Sequence, residues 1–248
     1  MIIIKSAKEI EMMRRPGRIV GEVLAEVSEK VKVGVTTQEL DALAEELILR
    51  RGAKPAFKGY RGYPSTLCTS VNEEVVHGIP SRRKLREGDI LSIDLGVFSQ
   101  GYYGDAAVTL PVGNISKEAQ GLIESTKRSL YKGIEAAVAG NRLYDVSFAV
   151  QKQAEGDGYS VVRDFVGHGI GTSLHEEPQV PNYGSPGKGP LLKVGMVLAI
   201  EPMINMKGYD VRVTGDDWTV VTVDGSLSAH FEHTVAIGSN GAVILTSI

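Results

Sequence analysis

Leu85-Arg86-Glu87-Gly88-Asp89-Ile90-Leu91-Ser92-Ile93-Asp94 is echoed by Leu192-Lys193-Val194-Gly195-Met196-Val197-Leu198-Ala199-Ile200-Glu201 at an offset of 107. Each copy runs from a glycine into an apolar strand and ends on an acid six residues after the glycine. Val33-Gly34-Val35-Thr36 matches Ala139-Gly140-Asn141-Arg142 at an offset of 106, and His77-Gly78-Ile79-Pro80 matches His168-Gly169-Ile170-Gly171 at 91. The second half therefore holds an insertion of about 16 residues, the Pro/Gly-rich stretch from His175 to Pro190. Duplicated helix-helix-strand halves, roughly 1–112 and 113–248, predict one pseudo-symmetric α+β domain with strands at the centre and helices outside. A site between the halves would receive Asp94 from one copy and Glu201 from the other.

The helices are legible from their caps. Ser6-x-x-Glu9 and Thr36-x-x-Glu39 are capping boxes, each followed by apolar residues at helical spacing. Pro16 is expected to kink or split the first helix. Ser116 opens a third helix, and a fourth runs from Leu143 to about Gly156.

The acids at the strand ends are in unusual company. Glu232 lies in Ser228-Ala229-His230-Phe231-Glu232-His233-Thr234-Val235-Ala236-Ile237, which reads as a buried strand, and no Lys or Arg follows Val213. An ionised carboxylate in an apolar strand is unfavourable by several kcal/mol unless a cation meets it. Asp94 and Asp105 centre on Ser99-Gln100, so a two-residue loop flanked by Phe98 and Gly101 would set them directly opposite on paired strands, about 5 Å apart. A divalent ion turns that repulsion into coordination. His168, flanked by Gly167 and Gly169, is the imidazole chosen to join Asp94, Asp105, Glu201 and Glu232. Five such ligands suit two ions about 3.5–4 Å apart that share acids and activate a water. Oxygen-rich ligation with one nitrogen fits Mn, Fe, Co or Zn without choosing among them.

The bulk numbers exclude other classes. At 248 residues, 42% hydrophobic and 23% charged, the chain reads as an ordinary soluble globular protein. A net charge of −3 leaves no footprint for nucleic acid or anionic membrane. The single cysteine, Cys68, fits a reducing compartment, and no apolar run reaches the roughly 18 residues of a membrane span. The expectation is a cytoplasmic protein.

Phe165-x-Gly167-His168-Gly169-Ile170-Gly171-x-x-x-His175-x-x-x-x-Val180-x-Asn182-Tyr183, with Asp94, Asp105, Glu201-Pro202-Met203 and Phe231-Glu232-His233-Thr234, resembles the type I methionine aminopeptidases over nearly the whole chain. The resemblance implies the pita-bread fold of the creatinase/aminopeptidase class, with pseudo-twofold halves around a central curved antiparallel sheet, as a single catalytic domain. It also implies two divalent ions: Asp94 on one, His168 and Glu201 on the other, Asp105 and Glu232 bridging. A hydroxide between them would attack the first peptide carbonyl, with Glu201 as proton shuttle. His175 would stabilise the developing oxyanion, and His77 would contact the scissile nitrogen or the second residue. His230 and His233 are read as structural or as supports behind the ligands, alternating away from the face of Glu232. The methionine pocket would draw on Phe57, Tyr60, Tyr63, Cys68, Trp218, Phe165 and Leu174, and a monovalent cation would sit near Asn72, Glu74 and Ser228. Arg61 and Tyr103 stand where many members have histidine, Ser92 where Asn is common, and His230 where Gln is common; these departures bear on pocket shape and pH response. Nascent polypeptide N-termini near the ribosome are the implied partners, met by a monomer. A proline-specific peptidase of the same fold, or a peptide-binding member without catalysis, are the alternatives.

Overall fold

The computed structural model describes residues 1–247. Four helices, α1 (Ala7–Ser28), α2 (Thr37–Arg50), α3 (Lys117–Ala136) and α4 (Leu143–Gly156), lie in two pairs along the chain. The first strands are β1 (Lys54–Pro55), β2 (Leu67–Val71), β3 (Glu74–Val76), β4 (Ile90–Ser99) and β5 (Tyr102–Pro111). After α4 come β6 (Ser160–Val161), β7 (Gly167–Gly169), β8 (Glu176–Val180), β9 (Val197–Ile200) and β10 (Met203–Asn205). The last are β11 (Val211–Val213), β12 (Val220–Thr222), β13 (Ser228–His230), β14 (His233–Gly238) and β15 (Gly241–Ile244).

Both capping boxes form: Ser6 and Thr36 each accept from the backbone of the glutamate three residues on, whose side chain reaches back. Pro16 does not split α1, which is one helix of 22 residues. A proline removes one helical hydrogen bond, but the buried face of α1, from Met13 to Val27, packs on β4 and β5 and holds the helix together.

Two larger antiparallel sheets frame the molecule. In one, β4 pairs with β5 along one edge and with β2 and then β1 in succession along the other; the other sheet runs β15-β14-β9-β7-β8. They meet where Glu232 N donates to Ala107 O at 2.9 Å and Ala107 N to Glu232 O at 3.4 Å. One apolar core gathers residues between Ile19 and Val112. Another gathers α3, α4 and the later strands, with Ile90 among them. α1 and α2 pack on the β4–β5 sheet, whereas α3 and α4 pack on β6, β10 and β13 as well as on β8, β9 and β15.

The β4–β5 hairpin departs from the predicted register. Ser99 pairs with Tyr102, so the loop is Gln100-Gly101, and Asp105 stands opposite Gly96 while Asp94 stands opposite Ala107. Both loop residues take positive φ, 53° and 86°, as a type I′ turn requires, and glycine belongs inside such a turn rather than beside it. A shift of two residues preserves the pleat. Asp94 and Asp105 therefore share a face as a diagonal pair, not a direct one.

Candidate metal centre

Asp94 from β4, Asp105 from β5, His168 from β7, Glu201 just beyond β9 and Glu232 line one cavity of about 190 Å³. Glu232 is not inside a strand. It occupies the break between β13 and β14, the point at which the two sheets join. Asp105, His168 and Glu232 each offer a ligand atom within 4.8 Å of the others. His168 Nε2 is 3.5 Å from both Asp105 Oδ2 and Glu201 Oε1.

The glycines beside His168 have a steric purpose. A Cβ on Gly167 would lie 2.3 Å from Ala199 O, and one on Gly169 would lie 2.2 Å from Glu177 O, so β7 could not enter between β8 and β9. The ring itself is oriented by Nδ1, which donates to Gly169 O at 2.9 Å and leaves Nε2 facing the acids.

Electrostatics argue for a cation. Burial pushes Asp94 up to about 8, with the Asp105 and Glu201 charges adding to it against His230. Glu201 is likewise pushed up to about 8 by burial and Asp105, with His168 opposing. Burial also drives Asp105 upward, and it drives Glu232 well above the carboxylate range, helped there by its three acidic neighbours. Among the described residues no Lys or Arg lies within 4 Å of any of the four; their close basic partners are His168 and His230. Asp94 Oδ1 is buried with no hydrogen-bond partner. An orphaned oxygen, four crowded carboxylates and an imidazole aimed at them suit divalent metal ions and little else.

The same cavity holds the expected auxiliary groups. His175 Nδ1 is 2.9 Å from the Tyr60 hydroxyl, and its ring packs 4.3 Å from that of His168. Burial, then His168, Arg61 and His77, lowers its pKa to about 3, so it is neutral at pH 7. His77 sits in the left-handed region (φ 61°), and burial lowers it to about 4. Phe57, Tyr60, Tyr63, Cys68, Leu174 and Trp218 form the wall. Tyr63 meets Trp218 edge-on at 5.0 Å, and its hydroxyl lies 2.9 Å from Leu67 O. Trp218 is presented by a tight turn in which Asp216 Oδ1 accepts from the Trp218 and Thr219 backbone.

Three placements differ from expectation. Phe165 does not line the cavity; it stands behind His77, edge-on at 5.7 Å. Arg61 does line it, held at φ 49° in the loop after Gly59, and was noted in the sequence only as a departure. His230 does not turn away. Its Nε2 is 3.7 Å from Glu201 Oε2. His233 does alternate away, and pairs with Thr246 Oγ1 at 2.9 Å. Around the expected monovalent-cation site, Asn72 Nδ2 donates to Asp89 Oδ1 at 2.9 Å, Val71 N to Glu74 Oε2 at 2.7 Å, and Ser228 Oγ to Asn205 Oδ1 at 2.9 Å. A larger open groove of about 780 Å³, beside Tyr144, Phe148 and Tyr183, contains none of the residues singled out for the site. Among the described residues no helix is long and apolar enough to cross a membrane.

Known proteins resemble this chain throughout. It is 57% identical over 248 residues to a methionine aminopeptidase of Clostridium perfringens, covering all of both chains. The crystal structure of methionine aminopeptidase from Thermotoga maritima superposes with a TM-score of 0.98 at 49% identity, again over all of both chains. Prolidase from Pyrococcus furiosus shares the fold at a TM-score of 0.79 and 26% identity, over 99% of this chain but 66% of that one. The pattern of metallopeptidase family M24 matches residues 11–239, and with these relatives it establishes that the chain, a pita-bread α+β protein, belongs to metallopeptidase family M24.

Proposed function

We propose that this protein is a methionyl aminopeptidase that removes the N-terminal methionine from polypeptides whose second residue is small, using two divalent metal ions. The observation that carries the reading is the convergence of Asp94, Asp105, His168, Glu201 and Glu232 on one small cavity, with no Lys or Arg against the acids among the described residues. Asp94 would hold one ion, His168 and Glu201 the other, and Asp105 and Glu232 both. When bound, such ions acidify a water and polarise the scissile carbonyl.

The chain's own groups do the rest. A carboxylate oxygen of Glu201 takes up a proton from the attacking water and passes it to the leaving amine. Neutral His175, with Nδ1 against the Tyr60 hydroxyl, would donate from Nε2 to the oxyanion as it develops. His77 is assigned the scissile nitrogen or the second residue. The thioether lies among Phe57, Tyr60, Tyr63, Cys68, Leu174 and Trp218, a polarisable apolar wall suited to an unbranched sulfur side chain. Phe165 acts from behind His77.

The whole chain is read as one catalytic domain, since Asp94 and Asp105 come from the first half and the other three ligands from the second. All five come from one chain, so a monomer suffices. Nascent chains in the cytoplasm are the substrates that follow. The proline-specific alternative is disfavoured because the relatives matched end to end are methionine aminopeptidases, whereas a third of the prolidase lies outside the match.

Metal content measured beside rates on Met-Ala-Ser and on Ala-Pro and Xaa-Pro peptides tests the reading. We expect about two equivalents of divalent metal and cleavage of Met-Ala-Ser alone. A fully metallated sample inert on every Met-peptide, or one preferring Xaa-Pro, overturns it.

A further inference from the structure

The Glu201 carboxylate lies between two imidazoles: Oε1 is 3.5 Å from His168 Nε2, and Oε2 is 3.7 Å from His230 Nε2. His230 is 2% exposed, and its Nε2 has no hydrogen-bond partner. A buried polar nitrogen without a partner is unfavourable, and an apolar side chain of the same size would fill the space without that penalty. The backbone of His230 is fixed independently of its ring. Its N–H donates to Thr109 Oγ1 at 2.8 Å, Thr109 Oγ1 lies 2.8 Å from its carbonyl oxygen, and it pairs with Met203 across β10 and β13. Strand pairing thus delivers an unpaired ring nitrogen to the far oxygen of Glu201. The 3.7 Å gap is too long for a hydrogen bond, but the last torsion of the glutamate side chain is broad and soft, so a small rotation of the carboxylate is cheap.

We propose that His230 is a positioning residue of the metal centre: its Nε2–H donates to Glu201 Oε2 and sets the rotation of the carboxylate, so that Oε1 stays turned toward His168. This rests on the assignment of Glu201 as a metal ligand. Groups that hold a ligating carboxylate from behind typically change metal affinity or activity by about 10–100-fold when removed.

The test compares wild type with His230→Leu, His230→Met and His230→Gln, using Co(II) alone as the metal probe. Co(II) affinity is measured by calorimetry, the melting temperature in EDTA, and kcat and KM on Met-Ala-Ser. In the Leu and Met variants Co(II) affinity should weaken by about 10–100-fold. Their kcat should fall with little change in KM, and the metal-free melting temperature should not drop, because the orphaned nitrogen is gone. His230→Gln, which restores an N–H at similar reach, should recover most of the lost affinity. Wild-type Co(II) affinity in both apolar variants, or a Gln variant as weak as they are, overturns the proposal. Should neither apolar variant fold, His230→Asn supplies a donor too short to reach; equal affinity in the Asn and Gln variants then overturns it. Failure of wild type itself to bind Co(II) overturns the functional reading and this proposal together, whereas normal wild-type binding with unaffected variants defeats this proposal alone.

Discussion

At Asp94 a single side chain combines burial, like-charged neighbours and an oxygen with no partner. Only a bound cation makes its ionised form favourable, so Asp94→Asn should lose metal and activity together. Its metal-free melting temperature should stay level or rise. Metal analysis beside a thermal melt checks both directions. His175 is the contrasting case, because nothing assigns it to a metal. His175→Ala removes one donor to the oxyanion and should lower kcat by about 10²–10³-fold. Metal content should be unchanged; metal loss with activity intact would reverse the two roles. The type and spacing of these residues were legible in the chain, because acids in apolar strands without local cations need an external explanation. The direction in which His230 points was not. It depends on Thr109 of β5, 121 positions away, whose hydroxyl holds the His230 backbone from a different sheet.

Among the elements, α1 approaches its surroundings closely enough to require glycine. A Cβ on Gly17 would lie 2.3 Å from the carbonyl oxygen of Leu245, and one on Gly104 of β5 would lie 3.1 Å from Gly17 N. The helix therefore touches β5 and the C-terminal segment backbone to backbone. Gly17→Ala meets a main-chain atom that cannot rotate aside, and should destabilise the protein by about 1–3 kcal/mol despite the better helix propensity of alanine. Urea unfolding with the midpoint compared to wild type measures it; an unchanged or raised midpoint would mean that α1 can slide. Helix starts were readable because a capping box is complete within four residues. The survival of α1 through Pro16 was not, since burial against β4 and β5 outweighs a local defect that sequence alone can see. The β4–β5 register erred by two residues for a similar reason: the turn is governed by which residue adopts positive φ, not by the midpoint between two acids.

For the molecule as a whole, metal-free stability should depend on pH in a defined direction. His77, His175 and His233 are held at about 4, 3 and 4, against an ordinary value of 6.5, so acidification below 6.5 protonates the unfolded chain first and weakens folding. Asp94 and Glu201, held at about 8, act oppositely: above their ordinary values the unfolded chain ionises while the folded one keeps its protons. The two effects oppose each other from about pH 4 to 6.5. From 6.5 to 8 the carboxylates dominate, and stability should fall as the pH rises. Denaturant unfolding in EDTA at pH 6.5 and 8.0 reads the slope, and saturating Mn(II) should flatten it by ionising the carboxylates in the folded state. A stability that rises over that interval would mean that the acids are neutralised by other means. The helix caps, the apolar strands and the acids in them follow from residues within a few positions of one another, and the internal repeat from matching two linear stretches, so the chain alone sufficed to read them. The seam between the sheets at Ala107 and Glu232, the exchange of Phe165 for Arg61 at the cavity wall and the approach of His168 and His230 to the two Glu201 oxygens are different. They depend on packing between segments far apart in the chain, which no local pattern encodes.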